Sequence, residues 1–334
     1  MSDLVPEREP GSDLVFVGSY GSAAGQRIHA VVIDETGAMR IVGGADGIAD
    51  PSFLAVHPDG HTLYAVSETG SVSDGSVGHV HALRIEESAQ TVGLTPMGAR
   101  STHGDHPCHL SIDRTGRWLH ATNYSSGEVV VFRIDGDGSL SEAVERIDHV
   151  GRGPHEERQL GPHPHSTTVS PDNQYLIVAD LGVDRVFIYG RDDDTGSLEY
   201  HGDMRSRPGS GPRSSTFDPS GRFLCVVNEL DNTVTLYAWD RGSGTLEEIQ
   251  VTPTLPDGVD TPNLAADVCF DPSGRSLYVS NRGHDSVMAY RLDPERGLTT
   301  IGTQPSGGMS PRAIVVAPSG SHLVVANERS DRVV

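Results

Sequence analysis

Short runs of Val, Ile, Leu and Tyr recur along the chain, separated by turns rich in Gly, Pro and Asp. Six stretches repeat one pattern, an apolar run, a turn and a second apolar run: PSFLAVHPDGHTLYAVSET (51–69), PCHLSIDRTGRWLHATNY (107–124), PHSTTVSPDNQYLIVADL (164–181), PRSSTFDPSGRFLCVVNEL (212–230), ADVCFDPSGRSLYVSNR (266–282) and PRAIVVAPSGSHLVVANER (311–329). Their starts lie 56, 57, 48, 54 and 45 residues apart, which is typical of propeller blades and too long for leucine-rich or ankyrin repeats.

Most of these repeats continue into two further strands. A third apolar run follows (VGHVHALRI, GEVVVFRI, DRVFIYG, NTVTLYAW, DSVMAYRL), usually with a turn into a fourth. Four antiparallel strands form a blade. The second strand, such as FLCVVNE at 223–229, is apolar on both faces, as expected of a sheet packed between two others.

The N-terminal region supplies one more partial repeat, because VFVGSY (15–20), IHAVVI and MRIVGG match strands two, three and four. The predicted fold is therefore all-β, a seven-bladed β-propeller of four-stranded antiparallel blades. We expect residues 14–334 to form a single propeller domain after a disordered tail at 1–13.

The closing strands have no counterpart in the sequence. The last repeat stops at Val334, early in its third strand, and nothing before residue 15 matches a first strand. We expect a chain truncated at its C-terminus; the alternative is a ring left open or closed by unusual pairing. Unpaired edges of this kind favour association.

The charge and composition of the chain limit the classes of partner that it could bind. The formal net charge is −21, which argues against nucleic acid as a partner. All 25 basic residues are Arg, so each is a candidate for binding an anion. The N-terminus lacks the features of a signal peptide and no run could span a membrane, so we expect a cytoplasmic monomer or weak homo-oligomer. The three cysteines, Cys108, Cys225 and Cys269, are expected to be buried thiols.

The direction of each hairpin predicts where the candidate catalytic residues lie. Strand one starts, and strand two ends, at the same end of each blade. His165, Arg213, Glu229 and Arg282 then share one face and are the candidate catalytic residues. The arginines suit an anion or an oxyanion, and His165 could accept a proton with Glu229 orienting its ring. This chemistry requires no metal or other cofactor.

Further candidates occupy related positions. We expect His163, His109, Asn281 and His284 to contribute to substrate binding, and Asn123, Tyr124 and Asp180 are second choices. Each of these candidate residues could instead have a purely structural role. His163 and His165 could ligate a metal, the arginines could pair with Asp between blades, Glu229 could be a solvated rim carboxylate, and Asp180 and Asp184 could cap their own turn.

Four long motifs make the chain resemble a known family. HPCHLSID…TGRWLHATNYSSGEVVVF, GPHPHSTTVSPDNQYLIVADLGVDRVFIY, GPRSSTFDPSGRFLCVVNELDNTVTLY and DVCFDPSGRSLYVSNRGHDSVMAY are similar to propeller-type lactonases, a family of bacterial 6-phosphogluconolactonases and fungal carboxy-muconate lactonizing enzymes. The resemblance covers residues 14 to 334. It implies a seven-bladed propeller acting without a metal on small lactones, and it places active-site residues of the lactonizing branch on His165, Arg213, Glu229 and Arg282.

The resemblance implies hydrolysis of 6-phosphoglucono-1,5-lactone to 6-phosphogluconate. One alternative is a muconate cycloisomerase activity, and another is a non-catalytic propeller that only binds partners. Ser214 and Cys269 depart from the residues common in the family at those positions, which bears on the choice of substrate.

Overall fold

The computed structural model describes residues 11–21, 24–71, 74–88 and 90–334. Strands dominate these residues, and the one helix among them is a short 3-10 turn at Glu328–Ser330. The all-β prediction is therefore confirmed. Most of the predicted N-terminal tail lies outside the described residues; the first strand begins at Asp13.

The described residues form twenty-six strands, which follow one another in antiparallel groups that we call units 1 to 7. Unit 1 contains β1 (Asp13–Gly18), β2 (Gln26–Ile33) and β3 (Met39–Asp46); unit 2 contains β4 (Leu54–Val56), β5 (Thr62–Ser67), β6 (His79–Glu87) and β7 (Val92–Ser101); unit 3 contains β8 (Pro107–Ile112), β9 (Trp118–Asn123), β10 (Glu128–Ile134) and β11 (Leu140–Asp148); unit 4 contains β12 (Pro164–Val169), β13 (Tyr175–Asp180), β14 (Arg185–Arg191) and β15 (Leu198–Arg205).

The remaining units complete the chain. Unit 5 contains β16 (Pro212–Phe217), β17 (Phe223–Asn228), β18 (Thr233–Asp240) and β19 (Thr245–Pro253); unit 6 contains β20 (Leu264–Phe270), β21 (Ser276–Arg282), β22 (Ser286–Asp293) and β23 (Gly297–Pro305); unit 7 contains β24 (Pro311–Val316), β25 (Leu323–Asn327) and β26 (Arg332–Val333). Units 3 to 7 are separate sheets, whereas β3 and β7 join units 1 and 2 into one sheet through a short parallel contact.

The turn between the first two strands explains why each unit forms a hairpin. In unit 5, the Asp218 carboxylate accepts hydrogen bonds from the backbone N–H groups of Arg222 and Phe223 at 2.8 and 2.7 Å. Gly221 has φ +70°, a conformation that favours glycine. The same Asp-centred turn occurs at Asp113 and Asp271. These turns therefore stabilise the hairpins.

Hydrophobic clusters fill the spaces between neighbouring units. All six residues of β17 are buried, and its Cys225 and Val227 pack against unit 6, while Leu224 and Val226 pack against unit 4. A strand packed on both sides must be apolar on both faces, so this pattern matches the sequence-based expectation. The architecture is propeller-like.

Units 7 and 1 also pack on each other. Val324 of β25 contacts a cluster with Val15, Val31 and Ile33, and the Asp13 carboxylate accepts hydrogen bonds from the Ser319 N–H and hydroxyl at 2.9 and 2.6 Å. No strand pairing joins the two units within the described ranges. A cavity of about 590 Å³ lies between them.

The three cysteines differ in their burial. Cys108 and Cys225 are buried free thiols as predicted, whereas Cys269 is a free thiol that is only half-buried. Among the described residues, no helix is long and apolar enough to cross a membrane.

Candidate functional site

Strand register brings the predicted site residues to one end of the units, which we call the mouth. Pro164 pairs with Asp180, Pro212 with Asn228, and Leu264 with Arg282. Each pair joins the start of a first strand to the end of a second strand. The residues next to these pairs therefore face the same region, as hairpin direction predicted.

Glu229 lies at the centre of the mouth, surrounded by arginines. Its Oε2 is 2.9 Å from Nε of Arg213 and 2.6 Å from Nη2 of Arg282, and its Oε1 is 2.5 Å from Nη2 of Arg158. The Glu229 side chain is only 2% exposed. Three guanidiniums around one carboxylate leave a net positive charge at this point of a strongly acidic chain.

This charge cluster fixes the ionisation of its members. Burial alone would raise the pKa of Glu229, but Arg282, Arg213 and Arg158 outweigh it and lower the pKa to about 2. Burial, together with the neighbouring Arg213, lowers the pKa of Arg282 to about 10. Glu229 is thus a carboxylate at neutral pH and too weak a base to accept a proton from water.

Arg213 and Arg282 each have a buried N–H group without a well-aligned acceptor. Arg213 donates from Nη1 to the carbonyl oxygen of Ala266. Nε of Arg213 and Nε of Arg282 are buried without an aligned acceptor, although Nε of Arg213 is close to Glu229. Buried donors without acceptors are rare, and they often mark a place where a ligand binds.

His165 and Arg213 line a small cavity beside this cluster. Its volume is about 30 Å³, enough for roughly two water molecules. The Cys108 thiol donates to the His165 carbonyl oxygen at 3.5 Å and lies 3.9 Å from Nδ1 of the same residue. Burial, followed by the charges of Arg213, Arg312 and Arg282, holds the pKa of His165 well below its usual range. His165 is therefore a neutral imidazole.

The expected pairing of Glu229 with His165 does not occur. In the described part of the chain, every charged partner of Glu229 is an arginine, and the ring of His165 lies next to Cys108. Guanidiniums bind a carboxylate more strongly than a neutral imidazole does, so they take both of its oxygens. The arginines lower the basicity of His165 rather than raising it.

Two other predicted histidines lie close to the site. His163 donates from Nδ1 to the Tyr124 carbonyl oxygen at 2.7 Å and stacks on the Tyr124 ring with centroids 4.5 Å apart. His109 lines the small cavity, where burial and Arg213 lower its pKa to about 3. Nδ1 of His109 accepts from the Thr167 N–H at 3.3 Å.

Asn281 and His284, the other two predicted binding residues, lie away from the small cavity. Asn281 is fully buried and its amide bonds to Thr254 and Asn263. His284 bonds through Nδ1 to the Ser286 hydroxyl at 2.7 Å. These hydrogen bonds join both side chains to residues in or beside units 5 and 6.

The second choices among the polar residues are also structural, apart from Tyr124. Asn123 bonds to the Thr102 carbonyl oxygen and to Glu128. Asp180 accepts from the His163 and Gly182 N–H groups, a turn-capping role that the sequence also suggested. Asp184 accepts from Gly209 and Gly211.

Sequence analysis missed two arginines at the mouth. Arg158 comes from the irregular segment between units 3 and 4, which matches no repeat, and it also donates to the Tyr124 hydroxyl at 3.1 Å. Arg312 follows Pro311 at the start of β24, in the same position as Arg213 after Pro212, and lines the small cavity. The repeated Pro-Arg pair was a signal that could have identified Arg312.

A metal site was the alternative for the two neighbouring histidines. Among the residues described here, no three His, Cys, Asp or Glu side chains are grouped as metal ligands.

Comparison with known proteins gives a consistent result. A profile described as "Lactonase, 7-bladed beta-propeller" matches residues 14–334. A Bacillus subtilis protein named 6-phosphogluconolactonase is 32% identical over 321 residues, covering 96% of this chain and 89% of that protein. A Formosa agariphila protein of the same name is 31% identical over 329 residues, covering 96% and 91%.

A solved structure agrees with these sequence matches. The structure of a periplasmic gluconolactonase from Pseudomonas aeruginosa superposes with a TM-score of 0.88 at 30% identity, covering 97% of this chain and 91% of that one. The match to the family profile extends over nearly the whole chain, so the protein belongs to the lactonase family of β-propellers.

Proposed function

We propose that the protein hydrolyses a sugar lactone at the mouth, most specifically 6-phosphoglucono-1,5-lactone to 6-phosphogluconate. The observation that carries this proposal is the cluster of Arg213, Arg282 and Glu229 beside a neutral His165. The names of the Bacillus and Formosa relatives support the choice of substrate.

The chemistry assigns a role to each group. Water adds to the lactone carbonyl carbon and gives a tetrahedral intermediate with a negative oxygen. The bond from that carbon to the ring oxygen then breaks, and the ring oxygen takes up a proton to become a hydroxyl. Arg213, which lines the small cavity, donates to the negative oxygen, and Arg282 adds its positive charge beside it. Glu229 holds the two guanidiniums in place.

His165 is the group that moves the proton. Its neutral imidazole accepts a proton from the attacking water and passes it to the departing ring oxygen. The low pKa makes it a weak base in the empty site. An anionic substrate among the arginines offsets their charge and raises the basicity of His165 when the reaction begins.

The small cavity is large enough for only part of the substrate. A space of about 30 Å³ accepts the carbonyl oxygen and a water molecule but not a six-membered ring. The ring therefore lies over the mouth, where His163, Tyr124 and His109 contact it.

The finer architecture belongs to the same proposal. We propose that units 1 to 7 are the seven blades of one propeller domain spanning residues 14–334, with units 1 and 7 having three strands each. Its substrate is a small anionic lactone, and neither nucleic acid nor membrane is a partner. A cytoplasmic location and a monomeric or weakly associated state stay predictions.

A panel of substrates tests the activity. Purified protein is assayed with 6-phosphoglucono-1,5-lactone, glucono-1,5-lactone and muconates, and each rate is compared with the spontaneous reaction. We expect hydrolysis of the phosphorylated lactone well above the spontaneous rate. If a muconate alone reacts, the lactonizing alternative replaces the proposal, and if nothing reacts, the catalytic proposal fails.

A further inference from the structure

A second charged cluster lies at the mouth, opposite the Glu229 cluster. The Arg312 guanidinium is 3.8 Å from Oε1 of Glu68 and lies over the Tyr20 ring, 5.3 Å from its centroid. The Tyr20 hydroxyl donates to Oε2 of Glu68 at 2.7 Å. The three residues come from units 1, 2 and 7.

The repeat pattern shows that this cluster is built from equivalent positions. Arg312 follows the proline at the start of β24 as Arg213 does in β16, and Glu68 follows the second strand of unit 2 as Glu229 does in unit 5. Tyr20 lies near the end of the corresponding strand in unit 1. The mouth therefore carries two arginine–glutamate groups, with His165 between them.

Arg312 differs from Arg158, Arg213 and Arg282, the other arginines of the mouth, because each of those donates a hydrogen bond. Only 23% of its side chain is exposed, and its distance to Glu68 exceeds that of a hydrogen bond. Within the described residues, its guanidinium has no hydrogen-bond acceptor, although the charges of Tyr20 and Glu68 outweigh burial and raise its pKa. Glu68 and Tyr20 thus hold the guanidinium in place and leave its N–H groups available.

Arg312 lies between two cavities. It borders the small cavity with His165 and Arg213, and it borders the larger cavity between units 7 and 1 with Tyr20. By contrast, the donors of Arg158 at the other side of the mouth are engaged by Glu229 and Tyr124. An anionic group at the far end of a substrate held by Arg213 and Arg282 therefore meets its unused donors at Arg312.

We propose that Arg312 binds the phosphate of a phosphorylated sugar lactone and makes the enzyme prefer that substrate over the unphosphorylated lactone. This inference rests on the proposed function. A guanidinium binds a phosphate through two parallel hydrogen bonds, which is stronger than a single neutral contact. Glu68 and Tyr20 are positioning residues for Arg312.

The test compares two lactones in one variant. Arg312→Gln is expected to lower kcat/KM for 6-phosphoglucono-1,5-lactone by about 10- to 100-fold, mainly through KM, because a charged hydrogen-bonding pair is lost. For glucono-1,5-lactone we expect a change of less than about 3-fold. Arg241→Gln is the control, since Arg241 makes a similarly long ion pair, 3.9 Å to Asp172, at the turn end of the units.

Binding of products separates this inference from the proposed activity. Calorimetry measures the affinity of wild type and Arg312→Gln for 6-phosphogluconate and gluconate. We expect the variant to lose affinity for the phosphorylated acid by a similar factor, whether or not wild type hydrolyses any lactone. Arg312→Lys, which keeps the charge, is expected to recover part of it.

Several results would overturn the inference. Equal losses with both lactones would place Arg312 at the carbonyl, and no loss with either would show that it does not bind substrate. A phosphate preference removed by Arg158→Gln and retained in Arg312→Gln would transfer the role to Arg158. Failure of wild type to bind 6-phosphogluconate would also refute the inference.

Discussion

Replacing Glu229 with Gln removes the charge on which the site is built. The side chain is 2% exposed and lies within 2.9 Å of three guanidiniums. In Glu229→Gln these arginines face one another without a counter-ion in a buried position, which is strongly destabilising. We expect loss of both stability and activity.

The pKa of Glu229 gives the size of the effect on stability. Its value falls from 4.5 to about 2, which corresponds to about 3 kcal/mol of preference for the charged form. Breaking a buried ion pair typically costs about 3–5 kcal/mol, which agrees. For a chain of 334 residues, 3 kcal/mol lowers Tm by about 4 °C.

Urea unfolding of wild type and Glu229→Gln tests this magnitude. Because the folded pKa is lowered, the stabilisation is complete above pH 4.5 and is lost as pH falls through about 2. The difference in unfolding free energy should be about 3 kcal/mol at pH 7 and about 2 kcal/mol at pH 3.5. Glu142→Gln, which removes an exposed pair 3.4 Å from Arg100, is the control and should change stability by less than about 0.5 kcal/mol. A difference below about 1 kcal/mol at pH 7 for Glu229→Gln would refute the reasoning.

Three further predictions concern the surroundings of the site. The pKa of His165 is already far below 6.5, so kcat/KM for glucono-1,5-lactone should stay flat between about pH 7 and pH 5; an acid limb centred near 6.5 would contradict its assignment. Asp180→Asn weakens the buried hydrogen bond of 2.6 Å from Nδ1 of His149, and chemical unfolding should show a loss of about 1.5–3 kcal/mol, whereas an unchanged midpoint would deny the contact a role. Burial raises the pKa of Cys108 to about 12, so the native protein should leave this thiol unmodified by iodoacetamide at pH 8 until it is unfolded by urea; rapid native labelling would show that the cavity opens.

The strand order was predictable because the physical signals are local and repeated. An Asp or Pro turn followed by an apolar second strand occurs in units 2 to 7, and hairpin direction then determines which strand ends meet. These signals were enough to predict that Arg213, Glu229 and Arg282 share one end of the units, where they contact one another.

Side-chain pairing within the site was not predictable in the same way. Whether Glu229 binds His165 or arginine depends on competition among groups from units 4, 5 and 6 and from the connection between units 3 and 4, and the sequence does not contain those distances. Arg158 was missed because it lies in a connection without periodicity. Asn281 and His284 have the residue types of a binding site, but the Asn281 amide bonds to Thr254 and the His284 ring bonds to Ser286.

The most direct test of the central claim measures hydrolysis of 6-phosphoglucono-1,5-lactone by wild type, His165→Ala and Arg213→Ala. We predict that wild type exceeds the spontaneous rate and that each variant, folded by circular dichroism, loses about 100-fold or more in kcat. Variants as fast as wild type would show that the reaction does not occur among these residues.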